Sequence, residues 1–267
     1  MSDKNVPEIH ENAAPLPQDA EVEQKIRRMS RRSFLWGGVA LAAGIAGKMW
    51  INSLPPDAAY GISWPFRRVL ETNEKLAEAY FSGSRLAPTF PRSMATQIRP
   101  NGDIGLSAGF KLEDWQLKAV GLQGGDRSFT IEELKRLPRV EMVTEFKCIE
   151  GWSTIVQWAG ARMADFVAAY PPVQSQGKIP EYVGMTTPDG GYYVGLDRES
   201  ALHPQTLLCY EMNGEPLALE HGAPLRLVIP VKYGIKNIKR IGTIHFTDQR
   251  PDDFWANKYG YDWYAGH

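Results

Sequence analysis

The alternation of apolar and polar residues divides the chain into three parts. Residues 1–28 are rich in Glu, Gln, Asn and Pro and carry few large apolar side chains, which predicts disorder. An apolar run rich in Gly and Ala follows from Trp36 to Gly47, and residues 51–64, with two adjacent prolines, form a predicted linker. We therefore expect a terminal segment over residues 1–50, then the linker, and one folded domain over residues 65–267.

Within the domain, short helices and many strands are predicted. Apolar residues at helical spacing predict a helix from Pro65 to Phe81. A capping box at Thr130 predicts a short helix that Pro138 ends, and residues 161–170 predict another. Short apolar runs predict strands over residues 117–123, 140–147, 182–187, 192–196, 206–212, 225–231 and 238–247. The pattern indicates an α+β domain with mixed β-sheets and short helices.

Composition and charge narrow the class of protein. The chain has 267 residues with 43% hydrophobic side chains, which is enough for a packed core. Its 30 basic and 31 acidic residues give a net charge of −1, so we expect no nucleic-acid partner. Two cysteines do not suffice for a disulfide framework.

The segment before the apolar run carries paired arginines. Residues 30–35 read Ser-Arg-Arg-Ser-Phe-Leu, and this resembles a twin-arginine export signal. The resemblance implies recognition by the twin-arginine export machinery, a periplasmic location, and a cofactor loaded before export. The apolar run has the length of a signal-peptide core and is short for a span of ~20 residues. An uncleaved membrane anchor and an ordinary buried helix after a basic patch stay open as alternatives.

The two cysteines lie in different surroundings. Cys148 follows a predicted strand and precedes Glu150, Gly151 and Trp152, which is the composition of a loop. We therefore expect its thiol to point into a site, where a thiolate suits a soft, redox-active metal. Cys209 lies in an apolar strand and is predicted to be a small buried hydrophobic residue. No histidines cluster with Cys148 in the sequence, which argues against a zinc site built from this chain.

Three segments resemble one enzyme family. Residues 148–153 (Cys-Ile-Glu-Gly-Trp-Ser) resemble the molybdenum-ligand segment of the sulfite oxidase superfamily, and residues 221–239 resemble its pterin-binding stretch. The chain end at residues 259–264 is also similar. The resemblance covers about residues 65–267 and is closest to the periplasmic, molybdopterin-dependent methionine sulfoxide reductases. It implies a sulfite-oxidase-type fold, one molybdenum–molybdopterin per chain, and Cys148 as the metal ligand.

The second segment concentrates positive charge, as a phosphate-bearing cofactor requires. Its cations are Arg226, Lys232, Lys236, Lys239 and Arg240. Arg226 is the best candidate for binding the phosphate, because its planar guanidinium matches phosphate oxygens. For Lys232, the alternative to a cofactor role is a place on an ordinary solvated strand edge. The resemblance further implies cofactor contacts at Asn73, Thr187 and His221, and at the backbone of Asn237, Ile238 and Lys239. His221 stands where the reductases have Asn.

The predicted reaction is oxygen-atom transfer in two-electron steps. Glu150 lies two residues beyond Cys148, so in an extended segment both side chains share a face. We expect this carboxylate near the metal, with a raised pKa, as a proton relay for reducing a neutral S-oxide or N-oxide, free or protein-bound. No Cys-x-x-Cys-His haem motif is present, which predicts a separate membrane haem protein or cytochrome as electron partner. A sulfite dehydrogenase and a non-catalytic exported binding domain are the alternatives.

Overall fold

A computed structural model describes residues 17–57 and 60–267 of the chain. The chain forms two compact units, one containing the N-terminal helix and the other containing residues 57–62 and 66–267.

The N-terminal helix, α1, runs from Pro17 to Ser53. Between Glu21 and Ser53 it contains an 18-residue window of mean hydropathy 1.4, long and apolar enough to cross a membrane, although a signal sequence has the same properties. Predicted disorder is wrong for residues 17–28, which are helical, because Glu, Gln and Lys favour helix over coil when the chain continues into an apolar helix. Residues 1–16 lie outside the described part of the chain.

The second unit contains one mixed sheet and one antiparallel sheet, which together with the helices fits the predicted α+β class. One sheet has the order β2-β1-β10-β5-β6, and in the other the order is β3-β4-β7-β8, with β9 also paired to β7. The strands are β1 (Leu117–Val120), β2 (Arg127–Phe129), β3 (Arg139–Lys147), β4 (Ser153–Arg162), β5 (Tyr182–Thr186), β6 (Tyr193–Asp197), β7 (Leu207–Met212), β8 (Glu215–Pro216), β9 (Arg226–Val228) and β10 (Thr243–Thr247).

Helices in this unit are short apart from the first. They are α2 (Trp64–Tyr80), α3 (Ile131–Leu134), α4 (Met163–Ala169), α5 (Arg198–Ala201) and α6 (Phe254–Tyr259). The predicted capping box is confirmed: the Thr130 hydroxyl accepts the Glu133 amide at 3.3 Å, and the Glu133 carboxylate accepts the Thr130 amide at 2.9 Å. This reciprocal pair satisfies two amides at the start of α3 and fixes where the helix begins.

Strand β4 is the main element that the sequence pattern did not predict. It occupies the centre of its sheet, between β3 and β7, with residues from Val156 to Ala161 buried. A strand covered on both faces loses the alternation that marks a half-exposed strand. The antiparallel β3–β4 pairing, from Arg139 opposite Ala161 to Lys147 opposite Ser153, leaves residues 148–152 as the connecting turn.

The core lies where the helices cover the sheets. Its largest cluster joins side chains from both sheets and α4, including Leu117, Phe129, Phe166, Leu208 and Ile244. A smaller cluster around Trp158 and Cys209 lies among β3, β4 and β7. Side chains packed in this way hold the β3–β4 turn and the segment after β9 in fixed positions, and both border the same cleft.

Candidate active site

Cys148 lies at the start of the β3–β4 turn, directly after the last residue of β3. Its amide donates to the Trp152 carbonyl at 2.9 Å, and its carbonyl accepts the Gly151 amide at 3.1 Å. Gly151 has φ of +88°, a left-handed conformation that closes the tight turn without a side-chain clash. The turn therefore fixes the backbone on both sides of the thiol, and the thiol lines a cleft.

The cleft has a cavity volume of about 130 Å³ and opens to solvent. Five residues predicted from the sequence line it together: Cys148, His221, Arg226, Asn237 and Lys239. The structure thus brings residues from the first and second motifs into one cavity.

Burial dominates the electrostatics of the thiol. Cys148 is 9% exposed, and burial raises the pKa of its thiol, opposed in part by the Glu150 backbone amide. The Asn101 side-chain amide donates toward the sulfur at 3.8 Å. A thiolate here needs a cation near the sulfur, which a bound metal would supply. Cys209 is fully buried in the smaller core cluster, and burial raises its pKa to about 12, as the sequence predicts for a structural cysteine.

Glu150 lies beside the thiol, but its predicted raised pKa is wrong. Its side chain is half-exposed and accepts hydrogen bonds from Trp152 Nε1 at 2.9 Å, Asn101 Nδ2 at 3.3 Å and Arg99 Nη2 at 3.2 Å. The Trp152 and Asn101 bonds are the main reason that the pKa of Glu150 is lowered, and the Arg99 charge adds to them. Hydrogen-bond donors that stabilise the carboxylate keep it ionised, so at neutral pH it carries no proton to transfer.

Arg226 is the most deeply buried cation of the cleft. It is 2% exposed and donates from Nη1 to the His221 carbonyl at 3.1 Å and from Nη2 to the Asn237 carbonyl at 3.3 Å. Its Nε has no hydrogen-bond partner among the described residues, and burial lowers the pKa of its guanidinium to about 10. A buried guanidinium without a facing carboxylate is ready for an anionic ligand.

Lys239 supplies the second cation. Its Nζ donates to the backbone carbonyls of Asn101 and Gly102 at 3.1 and 2.9 Å. Burial, followed by the charge of Arg226, lowers its pKa to about 8. Neither Arg226 nor Lys239 forms an ion pair within the described part of the chain.

The other three cations of the second motif lie outside the cleft. Lys236 is fully buried and pairs with Asp253 at 2.5 Å, and Lys232 lies 3.8 Å from Asp197. Arg240 donates to backbone carbonyls at 3.3 and 3.1 Å. The dense positive charge in the sequence therefore serves two purposes: two cations face the cleft and the rest stabilise the fold. For Lys232 the alternative of an exposed strand edge is also wrong, because it is only 2% exposed.

His221 and Asn237 shape the cleft wall. Burial and then the Arg226 charge lower the pKa of His221, which favours a neutral ring. Asn237 accepts the Ile229 amide at 2.8 Å and donates to the Tyr233 carbonyl at 3.2 Å, which fixes its backbone beside Arg226. Gly222, the residue after His221, has φ of +98°. A methyl group on its Cα would lie 2.7 Å from the backbone nitrogen of Arg240. Glycine is required for this close approach.

Three predicted contacts are not among the residues that line the cleft. Asn73 is exposed on α2. The Thr187 hydroxyl is occupied by Asp189 at 2.6 Å and by the Tyr192 amide at 3.1 Å. The Ile238 side chain is fully buried in the core, and its carbonyl accepts the Leu227 amide. The roles of these three residues as cofactor contacts stay predictions.

Asn101 and Arg99 both line the cleft beside Cys148 and were not predicted from the sequence. In the sequence, Asn101-Gly102 indicates only a turn. The Asn101 side-chain amide reaches the thiol, while the predicted pterin contact at Asn73 stays a prediction. The Arg99 guanidinium stacks 4.6 Å from the Trp152 ring centroid. Both belong to an irregular segment, for which periodicity gives no information.

Comparison with known protein families identifies the domain. Residues 105–255 match the family described as "Oxidoreductase molybdopterin binding domain". The match includes Cys148, Arg226 and Lys239 and covers more than half of the chain.

Individual relatives agree with this family. The chain is 34% identical, over 70% of its own length and 70% of the relative's, to a putative protein-methionine-sulfoxide reductase subunit, YedZ1, of Azospira oryzae. It is 32% identical to the protein-methionine-sulfoxide reductase catalytic subunit MsrP of Xanthomonas axonopodis pv. citri, over 94% of this chain and 81% of that protein. The match to MsrP of Ralstonia nicotianae, at 30% identity, spans 49% of that protein.

Among solved structures, the sulfane dehydrogenase SoxCD of Paracoccus pantotrophus is similar over 63% of this chain and 46% of that one, with a TM-score of 0.49 and 20% identity. The family match confirms the predicted resemblance to the sulfite oxidase superfamily, its α+β fold and its molybdopterin cofactor. The chain belongs to the oxidoreductases that carry the molybdopterin-binding domain.

Proposed function

We propose that this oxidoreductase reduces a sulfoxide, most simply that of methionine, and that Cys148 is the protein's ligand to molybdenum. The relatives named as methionine-sulfoxide reductases support the substrate class. When bound, the molybdenum–molybdopterin supplies the two-electron oxygen-atom transfer, and the chain binds, orients and shields it.

The cleft fits such a cofactor. Among residues 17–57 and 60–267, Arg226 Nε has no hydrogen-bond partner and Lys239 no ion-pair partner, which suits an anionic group such as a phosphate. The Cys148 thiol lies in the wall of the same cavity, where a soft ligand for the metal is needed. In the described residues no three His, Cys, Asp or Glu side chains are grouped to hold a metal ion. A cofactor that brings its own metal ligands and needs one thiolate from the protein matches this set.

Asn101 and Trp152 frame the position beside the thiol. The Asn101 amide, 3.8 Å from the sulfur, is a neutral donor for a substrate oxygen. Ile98, Ile104 and Trp255 add apolar surface to the cleft, which suits the methylene and methyl groups of a thioether and excludes water.

The charges beside the Cys148 thiol favour a neutral substrate over an anionic one. Arg99 and Glu150 form an ion pair at 3.2 Å, so the two full charges nearest the thiol compensate each other. A neutral sulfoxide binds there without electrostatic penalty, whereas the negative charge of sulfite gains no net attraction from the compensated pair. This pairing is the observation on which the reducing direction rests.

Sulfite oxidation is the second candidate function. Arg99 lines the cleft with 62% of its side chain exposed, and a guanidinium at the entrance favours an anionic substrate. Sulfite oxidation therefore requires Arg99 to act without compensation from Glu150.

The test compares the two directions with the purified, cofactor-loaded chain. Methionine sulfoxide reduction is followed with a reduced dye, and sulfite oxidation with an oxidised dye, each with Cys148→Ser as the inactive control. We expect sulfoxide reduction to be the faster reaction, and to disappear in the control. Rapid sulfite oxidation with negligible sulfoxide reduction would establish the second candidate instead.

Electron delivery and export complete the proposal. The sequence has no haem-attachment motif, so electrons come from a separate redox partner, a membrane haem protein or a cytochrome. The arginine pair at positions 31 and 32, within the apolar helix α1, supports twin-arginine export to the periplasm, with α1 as signal or anchor.

A further inference from the structure

An irregular segment over residues 99–107, here called the strap, borders the cleft. It contains no helix or strand, and Arg99, Asn101, Gly102 and Ile104 line the cavity. The strap also carries the Asn101 amide to 3.8 Å from the Cys148 sulfur. Its position therefore decides whether Asn101 reaches the thiol.

The far end of the strap is fixed by the body of the domain. The Ser107 amide donates to the Asp189 carboxylate at 3.2 Å. Gly105 is buried with φ of +78°, and a methyl group there would lie 2.6 Å from Thr187 Cγ2. Close packing of this kind leaves little room for movement.

The near end is held differently. Lys239 Nζ donates to the Asn101 and Gly102 carbonyls at 3.1 and 2.9 Å. Among the described residues, these are the hydrogen bonds that attach the strap backbone between residues 99 and 104 to the rest of the domain. Lys239 thus attaches the backbone of this part of the strap, while the side chains of Arg99 and Asn101 bind Glu150.

Lys239 also faces the cleft. An ammonium group has three protons to donate, and two of them are directed to the strap carbonyls. Its charge has no carboxylate partner in the described residues, and burial together with the nearby Arg226 lowers its pKa to about 8. An anion in the cleft would stabilise the charged form and strengthen both bonds to the strap.

We propose that Lys239 is a positioning residue that couples the strap to the cofactor: it binds the anionic part of the cofactor and, with its remaining protons, holds Asn101 beside Cys148. This proposal rests on the proposed cofactor site and goes beyond it. It assigns the Lys239 side chain to positioning the strap, whereas the sequence had indicated a cofactor contact alone. Cofactor binding and ordering of the strap are then one event.

The test measures amide hydrogen exchange of residues 99–104 by mass spectrometry, in cofactor-loaded and cofactor-free protein. We expect loading to slow exchange in the unchanged protein. In Lys239→Met, exchange should be at least about ten-fold faster in the loaded state, since the loss of even one hydrogen bond to a charged group corresponds to a change of that size. Lys239→Arg should restore most of the protection, and Lys178→Met, at an exposed lysine, should behave as the unchanged protein.

Equal exchange in Lys239→Met and the unchanged protein would overturn the proposal. If the variant does not retain the cofactor, the two cofactor-free proteins are compared, and the variant must still exchange faster. A second readout is the electron paramagnetic resonance signal of loaded protein. Asn101→Ala should alter the signal in the unchanged protein and much less in the Lys239→Met background, because Lys239 holds Asn101 beside the thiol; equal changes in both backgrounds would contradict this. Exchange does not depend on which substrate is turned over, so failure of the sulfoxide assignment is seen separately.

Discussion

The Arg99 guanidinium lies 3.2 Å from the Glu150 carboxylate, beside the thiol of Cys148. The pair combines a residue found only in the structure with one predicted from the sequence. Because the two charges compensate each other, removal of either one changes the electrostatic potential that a substrate meets at the entrance of the cleft.

Glu150→Gln leaves Arg99 uncompensated. We expect a KM for sulfite, or an inhibition constant for sulfate, about two- to five-fold lower, which is the scale of exposed charge interactions. Sulfoxide reduction should change little, and its pH profile should not move, since an ionised Glu150 does not relay protons.

Arg99→Met is the matched control, because it leaves the negative charge instead. Anion binding should then become weaker than in the unchanged protein. A Glu150→Gln variant whose sulfoxide reduction collapses, with full molybdenum content, would restore the proton-relay role that the lowered pKa argues against.

Arg226→Ala should lower cofactor occupancy far more than Lys232→Ala. Truncation of a buried, charge-assisted contact costs about 2–5 kcal/mol, and Lys232 does not line the cleft. Molybdenum and pterin per chain are measured after purification, with thermal unfolding of both cofactor-free variants as a check on folding. Similar occupancy in the two variants would exclude Arg226 as the anion-binding residue.

Lys232 gives a prediction for pH. Burial lowers its pKa to about 7, and its Nζ lies 2.8 Å from the Tyr264 ring centroid. Between pH 7 and the ordinary lysine range, the unfolded chain binds a proton that the folded chain does not, so folding stability rises with pH. Lys232→Met removes this dependence. The free energy of unfolding of Lys232→Met, relative to that of the unchanged protein, should be highest at pH 7 and below. This difference should decline by up to about 5 kcal/mol as pH rises, since one pKa unit is about 1.4 kcal/mol.

Denaturant unfolding of both proteins at pH 6, 7, 8 and 9 measures this difference. A difference in unfolding free energy that stays constant over the series would mean that Lys232 keeps an ordinary pKa.

Local patterns predicted most of the elements, and the reasons are local. The Thr130 capping box depends on four consecutive residues, and the turn at Cys148 on its Glu-Gly-Trp sequence, so both were found. Strand β4 was missed because burial on both faces removes its alternation.

The site was predictable only where its motifs are continuous. Cys148, Arg226 and Lys239 lie in such motifs and line the cleft. Asn101 comes from an irregular strap, and only the folded chain shows that Lys239 holds it in place. The lowered pKa of Glu150 has the same origin, because two of its three donors, Arg99 and Asn101, come from that strap.

Replacement of Arg31 and Arg32 by Lys tests export. The receptor of the twin-arginine pathway reads the guanidinium pair rather than positive charge in general. We expect the double variant to accumulate in the cytoplasm with its cofactor bound, as shown by cell fractionation. A normal amount in the periplasmic or membrane fraction would mean that α1 directs the chain by another route.

The central claim, that Cys148 ligates molybdenum in this cleft, is tested most directly by X-ray absorption at the molybdenum edge. We expect about one molybdenum per chain in the unchanged protein, with one metal–sulfur bond fewer in Cys148→Ser. The spectrum of Cys209→Ser should be unchanged, because that thiol is fully buried in the core. Absence of molybdenum from the purified chain, or loss of a metal–sulfur bond in Cys209→Ser and not in Cys148→Ser, would contradict the account.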